Sequence, residues 1–275
     1  MPTLLKPTLV LFLAMMVTVA ALVPAWAGNS ASAWSNATKS AARLIAAPDV
    51  DEGAYRAGIE IKLAPETITY WRSPGESGVP PVFDFSRSSN LRSAEVSFPA
   101  PKRINEAGSD IFGYEGGIVL PVRVVPQDAG KPVDLLLDLD YAACEKICLP
   151  VHATLELPLP PRDGGQTKAI AAAEAAVPRQ LSLEEIARNI AMQPVPDADK
   201  PTWRLRWRGS RPDDLFAETR DLFFIETKRD GDDFLVTLTD HPREAAFPDQ
   251  PVRFTLTGRQ PVEFALHLDA RAATP

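Results

Sequence analysis

The chain has 275 residues, 27 prolines and a formal net charge of −7. That acidic balance argues against a nucleic-acid partner, and the prolines suit many short strands and turns better than long helices. Two cysteines in such a length are too few for a disulfide-stapled scaffold, so a hydrophobic core has to carry the fold.

Residues 1–27 have the form of an export signal. Lys6 supplies the positive start, Thr8 to Val23 the apolar core, and Ala25-Trp26-Ala27 a small-x-small cleavage pattern near Ala27. The apolar run, about 16 residues, is shorter than the ~20 of a membrane span. Removing Lys6 with the signal takes the charge from −7 to −8. An exported chain works where disulfides persist.

Gly28 to Ser40 is small and polar and is expected to be a flexible lead-in. Tyr55 to Leu63 alternates as a strand should, and Thr67 to Trp71 is β-branched and aromatic. A turn cluster from Arg72 to Pro81 leads into a short strand at Val82 to Phe85, and Leu91 to Phe98 alternates weakly. Ile104 to Gly117, with Gly108, Gly113, Gly116 and Gly117, is expected to be a loop. Pro121 within the strand Ile118 to Val125 predicts an edge position or a bulge. Val133 to Leu139 and Val151 to Leu159 complete a series of short strands of the kind a β-sandwich needs.

After the boundary Pro158 to Gly165 the period changes. Thr167 to Val177 is alanine-rich, and Ser182-Leu183-Glu184-Glu185 is a capping box opening a helix to about Met192. A second β region follows, with alternation at Trp203/Leu205/Trp207, Phe234/Val236/Leu238 and Val262/Phe264/Leu266/Leu268, and Asp230-Gly231 as a hairpin turn. It is small for a sandwich and is expected to pack on the first domain or the connector. The expected organisation is mainly β: a signal peptide at 1–27, an immunoglobulin-like β-sandwich at 28–161, a helical connector at 162–197 and a second, smaller β domain at 198–275.

The chemistry centres on Cys144 and Cys148, spaced C-x3-C between two strand-like segments. Three readings stay open. As a structural staple, the bridge closes so short a loop that it contributes only ~2 kcal/mol. As a metal site, Cys144, Cys148 and His152 offer two thiolates and an imidazole for Cu(I) or Zn, although Pro150 prevents one helix from aligning them. As a redox centre, a close pair on a tight turn is more readily reduced than a relaxed bridge; Lys146 favours a thiolate there, and Glu145, Asp140 and Asp138 oppose it. His241 precedes a proline in a turn and His267 falls on a polar strand phase, so His-based catalysis has little material, and no H-E-x-x-H, G-x-S-x-G or P-loop is present. The acidic runs at Asp138/Asp140 and Asp230–Asp233 are expected to be solvated turns, and the Trp203/Trp207 stripe to be core.

Several separated motifs agree in order: Tyr70-Trp71-Arg72-Ser73-Pro74-Gly75-Glu76-Ser77-Gly78-Val79-Pro80-Pro81, Phe98-Pro99-Ala100-Pro101, Phe112-Gly113-Tyr114 leading to Leu120-Pro121, and Tyr141-x-x-Cys144-x-x-x-Cys148-x-Pro150. Over residues 40–160 the series resembles the N-terminal periplasmic domain of DsbD-type thiol:disulfide reductases, closest to the ScsB-like branch linked with copper tolerance. The resemblance implies a periplasmic immunoglobulin-like domain that needs no cofactor. Its redox pair, Cys144 and Cys148, would take electrons from a membrane-embedded thiol carrier and reduce thioredoxin-like proteins, with Cys148 as the exchange nucleophile. The membrane is met only through partners. A copper-binding protein, or an interaction module with a structural disulfide, is the alternative. Relatives shield the disulfide with an aromatic cap loop; here Asn105-Glu106-Ala107-Gly108 has no aromatic, which leaves Phe112 or the Pro74–Pro81 loop as substitutes. The chain ends at Pro275 with no membrane carrier or thioredoxin domain, so both are expected on separate proteins.

Overall fold

The computed structural model describes residues 29–75, 77–106, 108–161, 165–219, 223–240 and 251–268. The expected signal peptide, His241 and part of the second β region lie outside them.

Eleven strands build the first domain: β1 (Ser35–Ala37), β2 (Ser40–Asp51), β3 (Ala54–Leu63), β4 (Ile68–Gly75), β5 (Val82–Asp84), β6 (Leu91–Val96), β7 (Lys102–Glu106), β8 (Ser109–Glu115), β9 (Gly117–Pro126), β10 (Val133–Cys144) and β11 (Cys148–Leu159). One sheet runs β1-β2-β3-β9-β6, the other β11-β10-β4-β8-β7, with β5 added on β10. The two sheets share one core, in which Leu44, Ile59, Leu120, Leu135, Leu137 and Leu139 lie fully buried. Each such side chain contributes roughly 1.5–3 kcal/mol by leaving water. This is the expected immunoglobulin-like sandwich, a mainly β fold.

Three local expectations change. The flexible lead-in is instead β1, paired in register with the start of β2 at Ser35↔Ala42 and Ala37↔Ser40. The Ile104–Gly117 loop is a hairpin, β7 against β8; its glycines masked the alternation of Ile104, Ile111 and Phe112. Pro121 sits in β9, between β3 and β6, rather than at an edge. It is tolerated because the β6 ladder ends at Val96↔Val122. Only the Pro121 carbonyl is then needed on that side, and it accepts from the Ser97 N–H at 2.8 Å.

The helices α1 (Thr167–Ala175) and α2 (Leu183–Asn189) follow. Ile170 of α1 packs on Ile45 and Ala47, and the Ser182/Glu185 capping box opens α2. The latter helix stops at Asn189 rather than Met192, because Ile190 turns extended and begins a strand.

Among the described residues the second domain has two four-stranded sheets. The first is β12 (Arg179–Gln180), β19 (Val262–Leu266), β18 (Val252–Leu256) and β15 (Leu215–Glu218); the second is β13 (Ile190–Pro194), β14 (Thr202–Trp207), β17 (Asp233–Asp240) and β16 (Phe224–Asp230). Residues 179–180 and 190–194 of the expected connector are thus strands of these sheets. Their core holds Trp203, Leu205, Phe234, Phe254 and Phe264. Asp233, expected in a solvated turn, is buried and takes both Arg206 guanidinium contacts, at 2.9 and 2.8 Å. Phe216 of β15 leaves this domain altogether and enters the core of the first.

Candidate functional site

The period-2 alternation of β10 places the cysteine pair. Leu135, Leu137, Leu139, Tyr141 and Ala143 point into the sandwich, so Ala142 and Cys144 must point to the outer face, where they join Ile68, Tyr70 and Ile111. The β10–β11 ladder runs without a break from Val133↔Leu159 to Cys144↔Cys148. Glu145, Lys146 and Ile147 form the turn, and the two cysteines, last partners in the register, are joined in a disulfide with Cα atoms 4.0 Å apart.

The two sulfurs have different surroundings. Cys144 is 0% exposed, whereas Cys148 is exposed at the hairpin tip, next to Ile147, which is 75% exposed. The Tyr70 hydroxyl lies 3.1 Å from Cys148 Sγ and 3.2 Å from Cys144 Sγ, so its one proton can be given to either sulfur. Nearby, the Thr69 hydroxyl donates to the Ala142 carbonyl at 2.8 Å and ties β4 to β10, whose only register pair is Cys144↔Ile68.

The shield over Cys144 is aliphatic. Ile68 and Ile111 are buried against it, and Ile104 of β7 packs on the same cluster. Phe112, the expected substitute cap, packs on Phe216 instead, centroid to centroid 4.8 Å. The other substitute, the Pro74–Pro81 loop, lies on Tyr70: a Cβ at Gly78 would come within 2.8 Å of Tyr70 Cδ1. That loop therefore packs against the tyrosine that touches both sulfurs.

The charges expected to oppose a thiolate are neutralised or distant. Glu145 pairs with Lys39 at 2.8 Å, and that hydrogen bond and charge hold its carboxyl below its ordinary value. Asp140 is paired with His152 at 2.8 Å and Asp138 with Arg87 at 2.8 Å. They lie four and six residues before Cys144, or about 13 and 20 Å along the strand, beyond a Debye length of ~8–10 Å. Lys146 remains exposed beside the pair. His152 sits opposite Asp140 in the register, four steps from the disulfide, so the hairpin does not bring Cys144, Cys148 and His152 together. Among the described residues no group of three or more His, Cys, Asp or Glu side chains could hold a metal ion.

Residues 38–160 match the family described as the N-terminal domain of the thiol:disulfide interchange protein DsbD. This segment is a DsbD-type N-terminal domain. The DsbD-type match contains every sandwich strand from β2 to β11, with the pair Cys144–Cys148 inside it. The fold is similar to a crystal structure of the N-terminal periplasmic domain of ScsB from Proteus mirabilis. There the TM-score is 0.65 and the identity 21%, over 86% of this chain and 97% of that one. That likeness extends past the DsbD-type domain into the second β domain. The comparison with curated proteins gave no match. No helix among the described residues is long and apolar enough to cross a membrane.

Sequence reasoning singled out the cysteines but missed Tyr70 as their contact. The available signal was its place two residues after Ile68 on a predicted strand, which puts it on the same face; nothing in the sequence placed that face against residues 144 and 148.

Proposed function

We propose that the chain is a periplasmic thiol:disulfide exchange protein that passes two electrons from a membrane-embedded thiol carrier to thioredoxin-like proteins through Cys144 and Cys148. The observation that carries this reading is the asymmetry of the pair: an exposed Cys148 beside a fully buried Cys144, with one tyrosine hydroxyl reaching both sulfurs.

In the reduced protein the Cys148 thiolate attacks one sulfur of the partner's disulfide, and the partner's other sulfur leaves as a thiolate. The Cys144 thiolate then attacks Cys148 Sγ, the mixed disulfide breaks, and the partner's second sulfur leaves. The partner gains two electrons and two protons, and the Cys144–Cys148 disulfide of the present structure re-forms. The carrier's dithiol reverses these steps. Tyr70 stabilises whichever sulfur bears the negative charge, because its hydroxyl stands within reach of both. Exposed Ile147 and Val82 give the partner apolar surface on the hairpin tip and on the β5 side of β10.

The test is the reduction potential of the pair, together with reduction of a thioredoxin-like protein by the pre-reduced chain. A potential well below ~−300 mV, typical of inert structural bridges, with no transfer to such a protein, overturns the reading. Replacing Tyr70 with phenylalanine keeps the ring and removes one charge-stabilising hydrogen bond of about 1.5 kcal/mol. Exchange is expected to slow about tenfold with the melting temperature unchanged, measured by stopped-flow and thermal unfolding.

A further inference from the structure

The β7–β8 hairpin works on two faces. Ile104 and Ile111 are cross-strand partners, and both belong to the cluster over Cys144. The next pair along, Arg103 and Phe112, points to the opposite face, and that face is held by the second domain. Arg103 donates to Asp214 Oδ2 at 2.9 Å and Oδ1 at 3.2 Å, to the Leu215 carbonyl at 3.1 Å and to Thr227 Oγ1 at 2.9 Å. Its guanidinium carbon lies 5.0 Å from the Phe112 ring centre and 5.3 Å from that of Phe216. Phe216 meets Phe112 edge-on at 4.8 Å and Trp71 at 5.8 Å.

Strand β4 repeats the arrangement. Tyr70 touches the two sulfurs, the next residue Trp71 packs on Phe216, and Arg72 donates to Glu218 at 3.0 and 2.7 Å and pairs with Glu263. Burial works against the charge on Arg103, and Asp214 and Asp110 outweigh it; the ion pair is therefore held charged at the domain boundary. The hairpin is laddered to β4 from Ile68↔Glu115 to Tyr70↔Gly113, and its Ile111 end has less support. β7 is the edge strand of its sheet, and the β4–β8 register breaks between Tyr70 and Gly75, leaving Gly75↔Ile111 as the one register pair at that end.

We infer that the second β domain is a clamp on the redox site, with Phe216 and Asp214 as positioning residues that hold β4 and the β7–β8 hairpin closed over Cys144. The clamp gives the second domain its part in the exchange reaction proposed above and rests on that reading for its purpose, but not for its geometry.

The test uses the full chain with Cys148→Ser, which leaves Cys144 as the single thiol, and follows its alkylation by iodoacetamide. Adding Asp214→Ala or Phe216→Leu is expected to raise the rate about tenfold through local opening. Arg103→Lys, which keeps the charge but loses the guanidinium fork, is expected to fall between. Leu205→Ala, a packing change in the β13-β14-β17-β16 sheet, which carries neither Asp214 nor Phe216, controls for general loss of stability and is expected to leave the rate unchanged. A rate within about twofold of the parent in variants that still unfold cooperatively overturns the clamp. Should Phe216→Leu fail to fold, Asp214→Asn decides the matter by the same readout. Because the reagent needs no protein partner, an unchanged rate removes the clamp and leaves the exchange reading standing. A raised rate in a chain that reduces no thioredoxin-like protein supports the clamp and removes the exchange reading.

Discussion

A Cys144→Ser variant is expected to accumulate a mixed disulfide through Cys148, and a Cys148→Ser variant to accumulate none. Cys148 is exposed on the hairpin tip, so an incoming disulfide can reach it, and without Cys144 no resolving thiolate is present. Cys144, at 0% exposure and under Ile68, Ile104 and Ile111, cannot be approached in line by a protein disulfide. Electron transfer falls to background in both variants, but only one of them traps its partner. Incubation with an oxidised thioredoxin-like protein, followed by non-reducing electrophoresis and mass spectrometry of the cross-linked peptide, makes the comparison. A cross-link at Cys144 in place of Cys148 would reverse the assignment of nucleophile.

Phe216→Ala is expected to cost about 3–5 kcal/mol of stability, the range for deleting a buried phenylalanine ring. The ring is 0% exposed, packs edge-on against Trp71 and Phe112, and lies under the Arg103 guanidinium. The melting temperature should drop by on the order of 10 °C, read by differential scanning calorimetry and urea unfolding. A loss below ~1 kcal/mol would mean that the two domains touch at this point without being stabilised by it.

Much of the fold was legible because it follows from local pattern. The alternation in Tyr55–Leu63, Val133–Leu139 and Val151–Leu159 marked β3, β10 and β11, and the Ser182/Glu185 box marked the start of α2. Failures occurred where two covers share a short segment. In Lys102–Glu106 and Ser109–Glu115 each face is buried against something different, so the apolar residues Ile104, Ile111 and Phe112 do not fall on one phase. The segment therefore resembled a glycine-rich loop. Asp233 was misplaced for a related reason, since its acidic neighbours suggested solvent and its partner Arg206 is on another strand.

The sequence alone determined an acidic, mainly β protein with an export-like start and one cysteine pair on a hairpin. Those features depend on composition and on spacings of a few residues, which the chain displays directly. Only the tertiary structure decided that Cys144 is closed and Cys148 open, that Tyr70 reaches both sulfurs, and that the second domain grips the strands covering them. The reason is sequence distance. The Tyr70–Cys144 contact joins residues 74 apart and exists only once the first sandwich has formed; Arg103–Asp214, 111 residues apart, and Arg72–Glu218, 146 residues apart, exist only once the two domains have docked.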